Sequence, residues 1–169
     1  MSKCLVCNDN FNPFVDFGDM PIANAFSLKE ELFNEYTFAM KVGFCENCNM
    51  VQLVEQPDRE KMFHENYAFF SSTSNYMINH FNDFASSVIS LQGLNENSFV
   101  LEVGCNDGIM LQSFLSNKIP CLGIEPSQNV ANVAIEKGIE VITEFFDQPL
   151  AQHISKMYQK ADAILSANV

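Results

Sequence analysis

The sequence predicts an α/β protein in which a small cysteine-rich β module precedes one half of a parallel, doubly wound sheet. Two Cys-x-x-Cys pairs lie among short β-like runs within the first 56 residues. After residue 96, strand-like and helix-like segments alternate at the spacing of βαβ units. We therefore divide the chain into a β module over 1–56, a helical linker over 57–96 and half of a Rossmann-like domain over 97–169.

The composition is that of a folded protein with an acidic surface. Hydrophobic residues make up 47% and charged residues 18% of the 169 residues, which excludes wholesale disorder. The 21 acidic against 9 basic residues give a net charge of -12. Because a phosphate backbone or an anionic lipid surface needs a cluster of basic residues, this balance argues against nucleic acid and membrane partners, including a zinc-ribbon nucleic-acid protein.

The cysteines are interpreted through the compartment that the sequence indicates. No apolar run approaches the ~18 residues of a membrane span, and Met1 to Cys7 lacks the basic and apolar segments of a secretory signal. We expect a cytoplasmic protein, in which thiols stay reduced. The cysteines are then metal ligands or free thiols.

The first module contains a candidate metal site between β-like runs at 14–17, closed by Gly18, and 38–44. Two Cys-x-x-Cys turns can close a tetrahedral four-sulfur site, and a full thiolate shell makes a structural Zn²⁺ the favoured ion. Iron in the same geometry and a thioredoxin-like redox pair are the alternatives. The predicted metal ligands are Cys4, Cys7, Cys45 and Cys48.

The middle zone predicts one amphipathic helix. Ser74 is a candidate for its start and Gly93 for its end. Its apolar residues recur at steps of three or four, as on a helix face that packs into a core: Met77, Phe81, Phe84, Val88 and Leu91.

The last zone predicts four strands separated by three helices. The strands are expected at 98–103, 121–125, 140–145 and 161–167, and the helices at 108–117, 127–138 and 148–159. This order predicts a parallel sheet whose ligand site lies at the carboxyl ends of the strands.

The turn after the first of these strands indicates the ligand. Gly104 allows close backbone approach and Gly108 close helix packing, whereas Glu102 and Asp107 repel a pyrophosphate and attract a cation. Glu125, ending the next strand, can accept both hydroxyls of an adenosine ribose. Adenosine with a cation and no phosphate describes S-adenosylmethionine (SAM); NAD is the alternative.

Three more residues complete the predicted cofactor site. Phe145 and Phe146 end the third strand and can flank the adenine, and Asn168 ends the fourth strand at the same edge. The full predicted set is Glu102, Gly104, Asn106, Asp107, Gly108, Glu125, Phe145, Phe146 and Asn168.

With these motifs the chain resembles the N-terminal part of the sugar C-3′ methyltransferases. The resemblance covers the whole chain and is carried by Cys-Leu-Val-Cys at 4–7, Asp16-Phe17-Gly18 with Pro21, Cys-Glu-Asn-Cys-Asn-Met-Val-Gln-Leu at 45–53, Tyr67-Ala-Phe-Phe-Ser-Ser, Glu102-Val-Gly-Cys-Asn-Asp-Gly-Ile-Met-Leu, Gly123-Ile-Glu-Pro-Ser and Ala167-Asn168-Val169.

The resemblance implies a SAM-dependent C-methyltransferase acting on a nucleotide-linked ketodeoxysugar in deoxysugar biosynthesis. It implies a zinc-binding domain that helps form the sugar pocket and a class I methyltransferase sheet of order 3-2-1-4-5-7-6. Tyr67, Ser71 and Ser72 fall on a segment near cofactor and sugar, with Phe69 where many relatives carry tyrosine.

The family's proton-handling Tyr-x-Glu-His run lies beyond Val169. We therefore interpret the chain as an N-terminal fragment without the usual catalytic base, inactive alone, and assign no catalytic residue. The alternative is a non-catalytic, zinc-stabilised scaffold or interaction module that needs a separate C-terminal chain. Because strand 161–167 ends the half-sheet, we also expect either dimerisation through that edge or marginal stability.

Overall fold

The computed structural model describes residues 2–23 and 25–169. They form two compact units, Met1–Met62 and Phe63–Val169. The sequence placed 57–96 apart as a linker, but most of that zone belongs to the second unit. The reason is that its long helix contributes Phe81 and Ala85 to the core of that unit.

The first unit is an antiparallel sheet of four strands in sequence order. The strands are β1 (Ser2–Lys3), β2 (Asn10–Pro21), β3 (Thr37–Phe44) and β4 (Val51–Leu53), and a short helix, α1 (Arg59–Met62), follows them. The run at 14–17 does not end at Gly18, because β2 continues to Pro21 through irregular pairing with β3. Gly18 lies within this irregularity at φ 76, a left-handed conformation that glycine adopts without strain.

The second unit is a parallel sheet with helices on both faces. Its elements are α2 (Asn75–Gln92), β5 (Val100–Val103), α3 (Leu111–Ser116), β6 (Cys121–Ile124), α4 (Gln128–Glu136), β7 (Glu140–Ile142), α5 (Gln148–Met157) and β8 (Ala163–Ser166). The strand order is β7-β6-β5-β8 with every pair parallel, which is the predicted order 3-2-1-4.

The predicted amphipathic helix is confirmed, together with both of its ends. The Ser74 side chain accepts the backbone N–H of Met77, and Gly93 ends the helix at φ 64 with its N–H on the Ile89 carbonyl. A serine N-cap and a left-handed glycine satisfy groups that the helix leaves unpaired at its ends.

The two faces of the sheet bury separate clusters. One cluster joins α2, α3 and α4 through residues such as Phe81, Phe114 and Ala134. The other joins the sheet to α5 through Leu122 and Ile154. The alternation of side chains along each strand assigns successive residues to opposite clusters, as expected for a buried parallel sheet.

Each strand of this sheet is one to three residues shorter than predicted, and only β8 is shorter at both ends. β7 was expected to reach residue 145 but ends at Ile142, whose partner Ile124 is the last residue of β6. Residues 143–145 therefore follow the sheet instead of extending it.

Among the described residues, no helix combines the length and the apolar character needed to cross a bilayer.

Candidate metal centre and cofactor site

The two Cys-x-x-Cys pairs of the first unit adopt the same turn. The carbonyls of Cys4 and Cys45 accept the N–H groups of Asn8 and Asn49 at 2.9 and 2.8 Å. Each of these cysteines also donates its own N–H to the carbonyl five residues later, at 2.8 and 2.9 Å. Asn8 and Asn49 both have left-handed backbones, at φ 60 and φ 61, which asparagine tolerates better than most residues. The asparagine after each pair is a signal that the sequence interpretation did not use.

The four sulfurs converge on one point. All four Sγ atoms lie within 4.8 Å of one another, and the Cys4–Cys48 and Cys7–Cys45 pairs are 3.5 Å apart. A tetrahedral Zn²⁺ site with bonds of ~2.3 Å has sulfur–sulfur edges of about 3.8 Å. The donor set and its spacing therefore fit a structural zinc ion, and the sequence prediction of the four ligands is confirmed as a cluster.

Electrostatics at this cluster call for a cation. The backbone N–H of Cys7 lowers the pKa of the Cys4 thiol to about 7. At Cys48, the N–H of Met50 acts in the same direction, but burial and the neighbouring thiols raise the pKa to about 12. Four thiolates this close repel one another, so full deprotonation needs a positive charge between them.

Other side chains hold the two turns in place. The buried Gln52 on β4 accepts the Leu5 N–H at 3.1 Å and reaches the Lys3 carbonyl at 3.5 Å, which ties β4 to the first turn. Phe11 packs against the cluster, and a side chain on Gly43 would collide with its ring. The sequence interpretation assigned no role to Gln52, although this residue lies in the motif at 45–53 that carries the family resemblance.

In the second unit, the predicted glycine turn follows β5 directly. Gly104 donates its N–H to the Ile124 carbonyl at 2.8 Å, which joins the turn to the end of β6. Gly104 and Gly108 adopt φ 71 and φ 76. A Cβ on Gly108 would collide with Ile139 and approach Ala134 to 2.9 Å, so glycine is needed for the close packing of the turn on α4.

Glu102 on β5 is a buried acid that forms no ion pair with any residue that the structure describes. It is 3% exposed, and its Oε2 has no hydrogen-bond partner within that part of the chain. Burial raises the pKa of Glu102 to about 8, and the nearby charges of Glu125 and Asp107 act in the same direction. The carboxyl group is thus held protonated near neutral pH until a cation or a donor approaches it.

Glu125 follows β6 and is equally buried, at 5% exposed. Its Oε2 accepts the Asn106 N–H at 3.0 Å and its Oε1 accepts the Ser127 N–H at 2.8 Å. Each carboxylate oxygen can accept two hydrogen bonds, so one acceptor position remains on each. That Glu125 holds ribose hydroxyls stays a prediction.

Unpartnered polar atoms gather at this edge of the sheet. Among the described residues, four buried side-chain oxygens lack a hydrogen-bond partner, and all four belong to β5, to the turn after it, or to the segment after β6. Buried polar groups are normally satisfied, so their concentration at one edge indicates a ligand site. The four atoms are Glu102 Oε2, Asp107 Oδ1, Ser127 Oγ and Asn129 Oδ1.

A segment that we call the strap, residues 67–72, is bonded to the turn. The Asn106 amide donates to the Phe69 carbonyl at 3.0 Å and accepts the Ser71 N–H at 2.9 Å. The Asp107 Oδ2 accepts both the N–H and the hydroxyl of Ser72, at 2.8 and 2.5 Å. The predicted substrate residues Ser71 and Ser72 therefore lie against the predicted cofactor turn.

Two further residues, which sequence reasoning missed, are hydrogen-bonded to the strap. One lies on α4 and the other directly after it. Asn129 donates to the Tyr67 carbonyl at 2.7 Å. Lys137 donates to the Asp107 carbonyl at 2.7 Å and to the Ser72 hydroxyl at 3.5 Å. Neither has a sequence signal, because an asparagine and a lysine on a helix are ordinarily solvated surface residues.

The remaining predicted residues lie around the same edge. Phe145 and Tyr67 both contact the Phe63 ring, with centroid distances of 6.4 and 5.5 Å. Phe146 is 40% exposed. Asn168 follows β8, is exposed and has φ 59. Whether these aromatic rings flank an adenine stays a prediction.

Comparisons with known proteins agree with this division. Residues 4–63 match a family model described as "Putative zinc binding domain", and residues 81–168 match one described as "Methionine biosynthesis protein MetW". The first match covers all four clustered cysteines, and the second covers every strand of the parallel sheet.

One curated relative aligns along nearly the whole chain. The C-methyltransferase NovU of Streptomyces niveus is 27% identical over 157 residues, which are 92% of this chain and 37% of the relative. The chain thus spans little more than a third of the length of that curated relative.

Two solved structures are similar in part. DesVI of Streptomyces venezuelae has 20% identity and a TM-score of 0.41, over 57% of this chain and 38% of that one. A SAM-dependent methyltransferase from Archaeoglobus fulgidus has 13% identity and a TM-score of 0.32, over 49% and 38%. At these TM-scores neither structure carries an argument about this chain.

These matches bear on the family resemblance recognised in the sequence. The zinc-binding match and the C-methyltransferase relative together confirm it and the predicted fold class. The match over residues 81–168 takes in more than half of the chain. The chain therefore belongs to the family described as "Methionine biosynthesis protein MetW", as a member with an N-terminal zinc-binding domain that aligns along most of its length with a C-methyltransferase.

Proposed function

We propose that the second unit binds SAM and is the cofactor-binding half of a C-methyltransferase. The observation that carries the proposal is the group of unpartnered buried oxygens at the carboxyl edge of the sheet, headed by Glu102. They lie beside a glycine turn, where the nearby charges of Glu125 and Asp107 disfavour a phosphate group. A nucleoside carrying a sulfonium and an ammonium group matches that chemistry, whereas a dinucleotide with a pyrophosphate does not.

The residues have distinct roles in this proposal. The backbone of Gly104 lies against the cofactor, Glu102 accepts from its ammonium group, and Glu125 accepts from its ribose. When bound, the cofactor supplies an activated methyl group. The protein's contribution is to orient the donor, to exclude water and to hold the acceptor in line with the transferred methyl.

As the acceptor we propose a nucleotide-linked ketodeoxysugar. Support comes from the strap motif, which resembles that of sugar C-3′ methyltransferases, and from the name of the relative that aligns with 92% of the chain. The description of the MetW family points to methionine biosynthesis, but the alignment with NovU extends over both units and favours the C-methyltransferase. The strap residues Tyr67, Ser71 and Ser72 would then contact the sugar nucleotide. No residue is assigned as the base.

Calorimetry with three ligands tests the cofactor proposal. We expect the chain to bind SAM and its demethylated product, S-adenosylhomocysteine, and not NAD. Glu102→Gln should weaken binding about tenfold to a hundredfold, because a charged hydrogen bond contributes about 1.5–3 kcal/mol. Glu96→Gln, a change at an exposed acid of the same unit, is the matched control and should leave affinity unchanged.

Two results would contradict this proposal. If the chain binds NAD and not S-adenosylhomocysteine, the cofactor is NAD and the SAM proposal is wrong. A zinc-loaded chain that binds none of the three would favour the non-catalytic scaffold. For the acceptor, saturation-transfer NMR with a nucleoside-diphosphate ketodeoxysugar should give signals that Ser72→Ala weakens.

We further propose that the chain associates with a second copy through β8. Within residues 2–23 and 25–169 this strand ends the sheet order and pairs with β5 alone, and its Ile164 side chain is 66% exposed. An apolar strand with one unpaired edge is a favourable partner for another such strand. Sedimentation that shows a stable monomer at micromolar concentration would contradict the proposal.

A further inference from the structure

We propose that Asn106 and Asp107 are positioning residues whose side chains bind the strap, so that the turn connects the cofactor site to the acceptor site. The inference rests on the proposed function for the identity of those two sites. It reassigns the side chains of two residues that the sequence placed in the cofactor site. The distances of the four hydrogen bonds to the strap carry the proposal.

The Asn106 side chain acts as a short piece of β-ladder. Its Nδ2 donates to the Phe69 carbonyl at 3.0 Å and its Oδ1 accepts the Ser71 N–H at 2.9 Å. A primary amide can donate and accept in this way at once, whereas a carboxylate only accepts. Asn106 is 9% exposed, so its side of both bonds is buried, whereas Phe69 on the strap side is 52% exposed.

Asp107 adds a charged acceptor to the same strap. It is fully buried, and its Oδ2 accepts two bonds from Ser72. Lys137 reaches the Ser72 hydroxyl and the Asp107 carbonyl, so the strap, the turn and the end of α4 meet at one point. A carboxylate already bonded to the strap has one oxygen left, Oδ1, for a ligand.

The turn is also hydrogen-bonded to the proposed cofactor site. The Asn106 N–H donates to Glu125, the predicted ribose acceptor, while its side chain grips the strap. A ligand that fixes Glu125 thereby fixes the backbone of Asn106 and stabilises the strap. By thermodynamic linkage, a methyl-acceptor substrate that orders the strap raises the affinity for the cofactor by the same factor by which the cofactor raises the affinity for that substrate.

The backbone conformation of Asn106 decides which substitutions can test its side chain without adding strain. Its φ of 50 is left-handed, so an alanine there would add strain that has no bearing on the strap. Glycine tolerates that conformation and removes the amide. Aspartate also tolerates it and keeps the acceptor for Ser71 but not the donor for Phe69. Asn106→Gly and Asn106→Asp therefore form a graded pair.

Hydrogen exchange of the Ser71 and Ser72 amides, resolved by NMR, tests the proposal on the zinc-loaded chain. Asn106→Gly should speed exchange at Ser71 about tenfold or more, since two hydrogen bonds are lost, and Asn106→Asp should restore part of the protection. Gly93→Ala, at the end of α2, should leave both amides unchanged. Adding S-adenosylhomocysteine should slow strap exchange in the wild type and not in Asn106→Gly.

The outcomes separate this inference from the proposed function. If Asn106→Gly leaves the strap amides protected, the side chain does not hold the strap and the inference is wrong. If the strap loosens as expected but the wild type binds no S-adenosylhomocysteine, the strap connection stands and the cofactor proposal fails. Loss of S-adenosylhomocysteine binding with an intact strap would mean that Asn106 contacts the cofactor directly, which also overturns the inference.

Discussion

Replacing Glu102 by glutamine should change how the stability of the second unit depends on pH. In the folded chain Glu102 stays protonated up to a pKa of about 8, chiefly because it is buried, whereas the ordinary pKa of a glutamate is 4.5. Between these values the folded state binds one proton more than the unfolded state. The free energy of unfolding of the wild type therefore falls as pH rises through this window, and the decline stops above it.

The size of the effect follows from the proton count. One proton corresponds to about 1.4 kcal/mol per pH unit, so this carboxyl group lowers the free energy of unfolding by about 3 kcal/mol between about pH 5.5 and about pH 7.5. Glu102→Gln keeps the shape of the neutral acid and removes its ionisation. Relative to the wild type, the variant should gain about that much stability over the same interval.

Urea unfolding followed by circular dichroism at 222 nm measures this difference. Among the described residues, helices longer than four residues occur only in the second unit, so the helical signal reports on that unit. Glu96→Gln, at an exposed position, should follow the wild type at every pH. A stability difference between Glu102→Gln and the wild type that stays constant with pH would refute the reasoning, because it would mean that Glu102 is ionised throughout.

Three further outcomes are expected. Cys48→Ser should abolish the binding of one zinc ion per chain, measured by native mass spectrometry, and unfold the first unit, whereas Cys121→Ser outside the cluster should keep the metal. Gly108→Ala should destabilise the second unit by about 1–3 kcal/mol more than Gly93→Ala in urea unfolding, because both residues have left-handed backbones but only Gly108 faces close neighbours; equal losses would contradict the packing argument. Ile164→Lys should reduce self-association in sedimentation velocity, and unchanged association would exclude the β8 edge.

The pH dependence of ligand binding is linked to the first prediction. Since a cation favours the ionised form of Glu102, binding must displace its proton below the pKa of about 8. The affinity for S-adenosylhomocysteine should therefore rise with pH and level off above that value. Calorimetry in buffers of different ionisation enthalpy should detect the released proton, and Glu102→Gln should abolish its release.

Patterns local in sequence predicted much of the fold. Periodicity located α2, and its capping residues Ser74 and Gly93 act as expected because caps depend on neighbours within one turn. The spacing within each Cys-x-x-Cys pair predicted the two turns for the same reason, and their union in one cluster followed from the four ligands that a tetrahedral metal ion needs. Strand ends such as Ile142 were missed, since they depend on how far the neighbouring strand extends.

The site was less predictable than the fold. The glycine turn and the two acids could be located because they follow strands directly. That Asn106 and Asp107 reach back to the strap could not be inferred, because those bonds join residues 35 and 37 positions apart. The roles of Lys137 and Asn129 depend on the same long-range contacts.

The matched turns at Cys4 and Cys45 also bear on assembly. Each turn closes its own backbone hydrogen bonds within six residues, so each can form locally before the intervening strands pair. The ion then joins the two turns across the segment between Cys7 and Cys45, which contains β2 and β3. Such a cross-link restricts the conformations of the chain between these cysteines as a disulfide would. We therefore expect an ion to be bound first by the two cysteines of one turn and then by all four. Removal of the ion by a chelator should free the segment between Cys7 and Cys45 before the hydrogen bonds of either turn are lost.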